Sequence, residues 1–216
     1  MIYWGVLLER CMYDQAVKAV MRVAYRAGKM GFPQIHVPHM ATEWAREEFT
    51  RGFLEISKDP EDTLVMLDAD HEHPNDIVER LGSTEYGVVA AMAFCRGAEP
   101  RPAFFMYEEE EKEWYSIRDI PKNEIIPVDV VGTGAIAIKR WVFYKIAHEL
   151  PGHPPYWRKM YDVARGGEDW YFSKQCKKAG IQCYVNTGVE IPHYQLGTVT
   201  EKDWENYARE HLHAAD

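Results

Sequence analysis

Apolar positions along the chain fall into short runs and helical stripes that alternate. Ile2–Leu8 is a compact apolar run, and Asp14–Gly28 carries Val17, Val20, Met21 and Ala24 at the i, i+3, i+4, i+7 spacing of an amphipathic helix. A short strand over Gln34–Val37 precedes a second helix that Thr42 caps, with Ala45, Phe49, Phe53 and Ile56 on one face. Thr63–Leu67 is an apolar strand ending abruptly in acids, followed by a short helix near Asp76–Leu81 and a strand over Gly87–Phe94. Such alternation predicts an α/β fold, a mostly parallel sheet flanked by helices.

In the middle of the chain the period changes. Ala103–Tyr107 and Glu113–Ser116 flank the acidic turn Glu108–Glu111 and predict a small β-hairpin excursion within one domain over 1–216. Val128–Ile138 reads as a strand interrupted by Gly132-Thr133-Gly134, with a helix over Arg140–Leu150 behind it. Pro151–Tyr161, rich in Pro, Gly and aromatics, has no period and suits a surface loop. A helix from Glu168 to Ala179 stops at Gly180, Gln182–Val185 is the last clear strand, and Glu201–His213 is a terminal helix.

Composition is that of a globular protein: 216 residues, 46% hydrophobic and 27% charged. The balance of 25 basic and 34 acidic residues, 25 − 34 = −9, argues against gripping nucleic acid by charge alone. The longest apolar stretch, Gly87–Cys95, is far below the roughly 18 to 20 residues of a membrane span. The first ten residues lack the basic start and small-residue cleavage site of a signal peptide, so a cytoplasmic protein is expected. Cys11, Cys95, Cys176 and Cys183 form no C-x-x-C pair and are expected to be reduced, mostly buried thiols.

The sharpest chemical feature is VMLDADHEHP, an apolar strand ending in Asp68-Ala69-Asp70. Ligands of open α/β sheets bind beyond the carboxyl ends of strands, and two carboxylates there repel unless a cation or proton lies between them. A hard divalent ion, Mg²⁺ or Mn²⁺, suits oxygen ligands and in turn holds a diphosphate. His71 and His73 leave open a denser metal cluster, but on a loop after the strand they are expected to face solvent or lie behind the ion's ligands. In ARGGEDWYFSKQCKKAG, Gly166 and Gly167 precede Glu168-Asp169 at a helix start, which places a carboxylate at the crevice edge as a base. His193 follows the final strand region, 24 residues beyond Asp169, and is a candidate nitrogen ligand for an ion at Asp70.

Four ordered blocks, LVMLDADHEHPNDI, VVAAMAFCR, VDVVGTGAIAIKRWVF and GGEDWYFSKQCKKAGIQCYVNTGVEIPH, resemble GT-A glycosyltransferases of the small bacterial and viral kind related to family 2, over most of Thr63–His193. The resemblance implies a Rossmann-like GT-A fold. It implies Asp70 and His193 as ligands of Mn²⁺ or Mg²⁺, with Asp68 on the donor ribose or an ion-bound water and so also at the metal. It implies Asp169 as catalytic base, Glu168 binding or orienting the acceptor, and Arg96, Gly132 and Gly134 as donor contacts. Arg46-Glu47 stands where members often carry Arg-Asn, and Leu8-Glu9-Arg10-Cys11 lacks the Pro- or Thr-rich turn that meets the base. The implied donor is a nucleoside-diphosphate sugar, UDP-linked by family inference, and the acceptor a glycan, lipid-linked sugar, protein or modified DNA base. Tyr156, Trp157 and Tyr161 are expected either to stack on the acceptor and close over the donor, or to anchor their loop to the core. The rivals are a sugar-phosphate nucleotidyltransferase, whose Gly-rich basic loop is absent from LLERCMYDQ, and a non-catalytic nucleotide- or carbohydrate-binding module.

Overall fold

A computed structural model of the chain describes residues 1–7, 14–38, 40–95, 100–110, 113–117, 119–157, 167–194 and 198–211. In chain order the elements are β1 (Ile2–Leu7), α1 (Asp14–Lys29), α2 (Thr42–Ile56), β2 (Thr63–Asp68), α3 (Ile77–Gly82), β3 (Val88–Ala93), β4 (Phe104–Glu108), β5 (Glu113–Tyr115) and β6 (Ile125–Val128). They continue with β7 (Val130–Val131), β8 (Ala135–Lys139), α4 (Arg140–Glu149), α5 (Glu168–Lys178), β9 (Cys183–Ile191), β10 (His193–Tyr194), β11 (Thr198–Val199) and α6 (Glu201–His211).

The main sheet has the order β1-β2-β8-β3-β9-β6. Parallel pairing joins β1 to β2 and β3 to β9, while β8 and β6 run against their neighbours, so four of the six strands share one direction. Apolar clusters cover both faces. One packs Tyr3, Leu64 and Met66 against Phe49 and Phe53 of α2 and Phe143 of α4; the other packs Trp4, Val65 and Leu67 against Val23 of α1 and Ile77 of α3. The expected hairpin is present as β4 and β5, and with β7 it forms a separate three-stranded sheet.

Several expectations change in detail. Helix α1 buries Ala16, Ala19, Val23 and Ala27 and leaves Val17, Met21 and Tyr25 exposed. Small side chains let the helix lie close on its neighbours, and an alanine stripe gives a weaker hydropathy signal than Met or Tyr. In α2, Ile56 is exposed whereas Arg46 and Thr50 are buried beside Ala45, Phe49 and Phe53. Thr42 is the first helical residue, and the cap position falls on Ala41. Gln34–Val37 contributes one bridge, Gln34 to Trp4, rather than a strand.

Val128–Ile138 is divided among β6, β7 and β8, which serve two different sheets. Strand β9 runs on past Val185 to Ile191 through a register shift: Ala91 pairs with Asn186 but Met92 with Glu190. That bulge holds Thr187, Gly188 and Val189, whose polar and glycine residues read locally as a turn. No helix of the described residues is long and apolar enough to cross a membrane.

Candidate active site

The antiparallel β8 enters the sheet between β2 and β3, so its start lies at the carboxyl ends of those strands. Leu67 pairs with Ala135, and the Asp68 N–H donates to the Gly134 carbonyl at 2.8 Å. Three strand ends thus converge: Asp68-Ala69-Asp70 after β2, Phe94 after β3, and His193 after β9. Backbone bonds close the junction, with Glu72 N–H on the Pro192 carbonyl and Tyr194 N–H on the Asp70 carbonyl, at 2.9 and 2.8 Å.

Asp70 and His193, expected to share an ion, are in contact, with His193 Nε2 lying 3.0 Å from Asp70 Oδ2. The other imidazole nitrogen, Nδ1, is 3.1 Å from the Phe94 carbonyl, which only accepts, so Nδ1 carries the proton. Nε2 is thus the nitrogen turned to the carboxylate: it donates to Oδ2 when protonated, and when unprotonated it offers a lone pair beside a carboxylate oxygen, where a divalent ion can take the proton's place. Two such donors about 3 Å apart fit neighbouring ligands of one divalent ion, and the bond to Phe94 fixes tautomer and ring as metal-bound histidines require. Burial acts to raise the Asp70 pKa, but the hydrogen bonds to His193 and His71 outweigh it and hold the carboxyl below the usual range.

The neighbouring histidines do not face solvent: His71 is 4% exposed and His73 1%. His71 Nδ1 is 2.9 Å from Asp70 Oδ1, and its ring stacks on His193 with centroids 4.0 Å apart. Ligand atoms of Asp70, His71 and His193 lie within 4.8 Å of one another, a potential ion-binding group that includes a residue not assigned to the metal from sequence. His73 Nε2 donates to the Asp68 carbonyl at 2.6 Å. Burial and the nearby His71 lower its pKa to about 4, which keeps it neutral.

Asp68 stands outside that group. Both its oxygens accept from Arg46 Nη2, at 2.7 and 2.9 Å, while Arg46 Nε reaches Glu168 Oε1 at 3.5 Å. Arg46 is fully buried, with its guanidinium 5.6 Å from the centroid of Trp157. It thereby ties the end of β2 to the first turn of α5. Asp68 has its pKa raised to about 6, by burial against the lowering effect of Arg46 and with the charges of Asp70 and Glu168 adding to the rise. Asp169, next on α5, is raised to about 6 by burial and the adjacent Glu168 charge, and its Oδ1 accepts the Trp170 N–H at 2.7 Å.

The glycines have steric assignments. A Cβ on Gly134 would lie 2.7 Å from His71 Nε2, one on Gly132 2.7 Å from the Ala103 carbonyl oxygen, and one on Gly167 3.1 Å from Asp169 Oδ1. Gly134 therefore clears space for the His71 ring, and Gly132 lets β4 pass close. Of the loop aromatics, Trp157 stacks on Phe172 at 4.2 Å and donates Nε1–H to Thr50 at 2.9 Å, and Tyr156 packs edge-on against Phe143. Both are buried, and Glu47 accepts their backbone N–H groups, so they anchor the loop to the core and are not available to stack on an acceptor. Arg96, Tyr161, Gly166 and the Leu8–Cys11 segment lie outside the described residues.

No protein-family model and no curated protein matches the sequence. Solved structures do. The A197 protein from STIV aligns over 90% of this chain and 85% of its own, at 17% identity and a TM-score of 0.51. GalNAc-T7, solved with UDP, GalNAc and Mn²⁺, aligns over 96% of this chain at 12% identity and a TM-score of 0.56. The chain spans about half of that protein, 47% of its length. The strand order, flanking helices and these likenesses define the fold as that of GT-A glycosyltransferases.

Proposed function

We propose that this chain is a cytoplasmic, metal-dependent glycosyltransferase that moves a sugar from a nucleoside-diphosphate sugar, in this reading a UDP-sugar, to an acceptor hydroxyl with inversion. The observation that carries the reading is the approach of His193 Nε2 to Asp70 Oδ2, 3.0 Å apart at the carboxyl ends of the parallel strands. GalNAc-T7, which shares the fold, was solved with UDP, GalNAc and Mn²⁺, and that supports the same ion and donor classes here.

Asp70 and His193 would hold Mn²⁺ or Mg²⁺. Such an ion supplies Lewis acidity that offsets charge on a departing diphosphate. Asp68, oriented by Arg46, would meet the donor ribose or a water on the ion, and Gly132 and Gly134 would line the turn beneath the donor. Asp169 accepts the proton of the attacking hydroxyl. With its pKa raised to about 6 it is ionised at neutral pH yet a stronger base than an ordinary aspartate. Glu168, held by Arg46, orients the acceptor. Attack opposite the leaving group, with the base on the acceptor side, inverts the anomeric centre.

Calorimetry with a panel of nucleoside diphosphates and their sugar conjugates, with and without Mn²⁺, tests this on wild type and Asp70→Ala. Metal-dependent binding of one nucleotide, lost in the variant, is the expected result. A folded wild type that binds none of the panel would overturn the donor site.

A further inference from the structure

The two oxygens of Asp70 are each met by a different imidazole, Oδ1 by His71 Nδ1 at 2.9 Å and Oδ2 by His193 Nε2 at 3.0 Å. The three groups come from the end of β2 and the start of β10, joined by the antiparallel bridge between His71 and His193. His71 is itself buried, and its ring occupies a space that any side chain at position 134 would fill. A histidine enclosed in this way, with its nitrogen on the same carboxylate as a second histidine, is not a surface accident of the D-A-D-H sequence.

We propose that His71 is a third protein ligand, so that Asp70, His71 and His193 form a two-histidine, one-carboxylate centre that binds a transition-metal ion without help from a nucleotide. This rests on the reading of Asp70 and His193 as ion ligands. Coordination through Nδ1 would replace the hydrogen bond to Oδ1, and the ligand atoms of all three residues already lie within 4.8 Å of one another, with the two rings stacked at 16°. Two imidazoles change the chemistry of the site. Nitrogen donors favour Mn²⁺, Co²⁺ or Fe²⁺ over Mg²⁺, which prefers oxygen and keeps its water. A site relying on carboxylates and a diphosphate would take Mg²⁺ as readily and would need the nucleotide to hold it.

The test uses metal alone. Metal-free protein is titrated with Co²⁺, Mn²⁺ and Mg²⁺ by calorimetry, and Co²⁺ binding is followed by its visible absorption, for wild type, His71→Asn and Gly134→Ala. Circular dichroism checks that each variant is folded. Wild type is expected to bind Co²⁺ and Mn²⁺ with no nucleotide present, Mg²⁺ at least about tenfold more weakly. His71→Asn is expected to lose about tenfold or more in Co²⁺ affinity with an altered spectrum, and Gly134→Ala, which displaces the ring, to weaken binding in the same direction. A folded His71→Asn that binds Co²⁺ as wild type does, or a wild type that holds no ion without nucleotide, overturns the proposal. Ion binding as described in a protein that binds no nucleotide sugar would instead leave the centre standing and remove the transferase reading.

Discussion

Arg46 Nη2 lies 2.7 and 2.9 Å from the two oxygens of Asp68, and the same fully buried guanidinium turns its Nε to Glu168. One side chain of α2 thus links the acid that ends β2 to the helix that carries the candidate base. Removing it leaves two largely buried carboxylates without the cation they share. Arg46→Ala is expected to lower stability by about 3 to 5 kcal/mol, read from urea denaturation, whereas Arg46→Lys keeps the charge without the fork and should lose less. An unchanged midpoint for Arg46→Ala would mean that the ion pair contributes nothing to the fold.

Asp169 gives a prediction in two parts. As a base it must be ionised, so kcat/KM should rise with pH through about 6 and level above it. Asp169→Asn should lose about 10²- to 10⁴-fold in turnover while keeping donor affinity. The sign for stability is opposite. A carboxyl whose pKa is higher folded than unfolded favours the folded state below its ordinary pKa, and that contribution disappears as pH rises through about 6. Asp169→Asn should therefore be the more stable protein at pH 7, by about 1 to 2 kcal/mol, with the difference shrinking toward pH 4. A variant that is no more stable at pH 7 contradicts the buried-carboxylate account.

Gly132 is expected to matter through packing. Its added Cβ would meet a backbone carbonyl, that of Ala103, at 2.7 Å, and backbone gives less readily than a side-chain end. Gly132→Ala should cost about 1 to 3 kcal/mol in denaturant unfolding. An unchanged unfolding midpoint would mean that the backbone at Ala103 gives way without cost.

Glu47 accepts the N–H groups of Tyr156 and Trp157 at 2.7 and 3.1 Å. Glu47→Ala strands both donors, and stability should fall by about 1 to 3 kcal/mol. Amide exchange at 156 and 157 should accelerate well beyond that of the sheet. Unaltered exchange there would show that Trp157, through Phe172 and Thr50, holds the segment alone.

Much of the site was legible because its signals are local. An apolar run ending in Asp68-Ala69-Asp70 marks a strand end under a crevice, glycines before Glu168-Asp169 mark a helix start, and a histidine after a strand returns to the same sheet edge. Arg46 had a readable sign as well: a charged residue within the stripe of Ala45, Phe49 and Phe53 must be paired when that face is buried. Its partners were not readable, since Asp68 and Glu168 lie 22 and 122 positions away. The same limit applies to His71. In the sequence it is a polar residue after a strand; the bridge to His193 and the gap at Gly134 bury it.

By itself, then, the sequence determined the α/β alternation, the acids at the end of β2 and the start of α5, and the histidine after β9, because strand and helix periods and their end signals are properties of neighbouring residues. Only the tertiary structure decided that α1 buries its alanines, that Val128–Ile138 serves two sheets, that Tyr156 and Trp157 are core residues, and that Asp68 belongs with Arg46 while Asp70 belongs with two histidines. Those outcomes depend on which surfaces meet across the fold, and burial and ion pairing between distant segments leave no periodic trace in the chain.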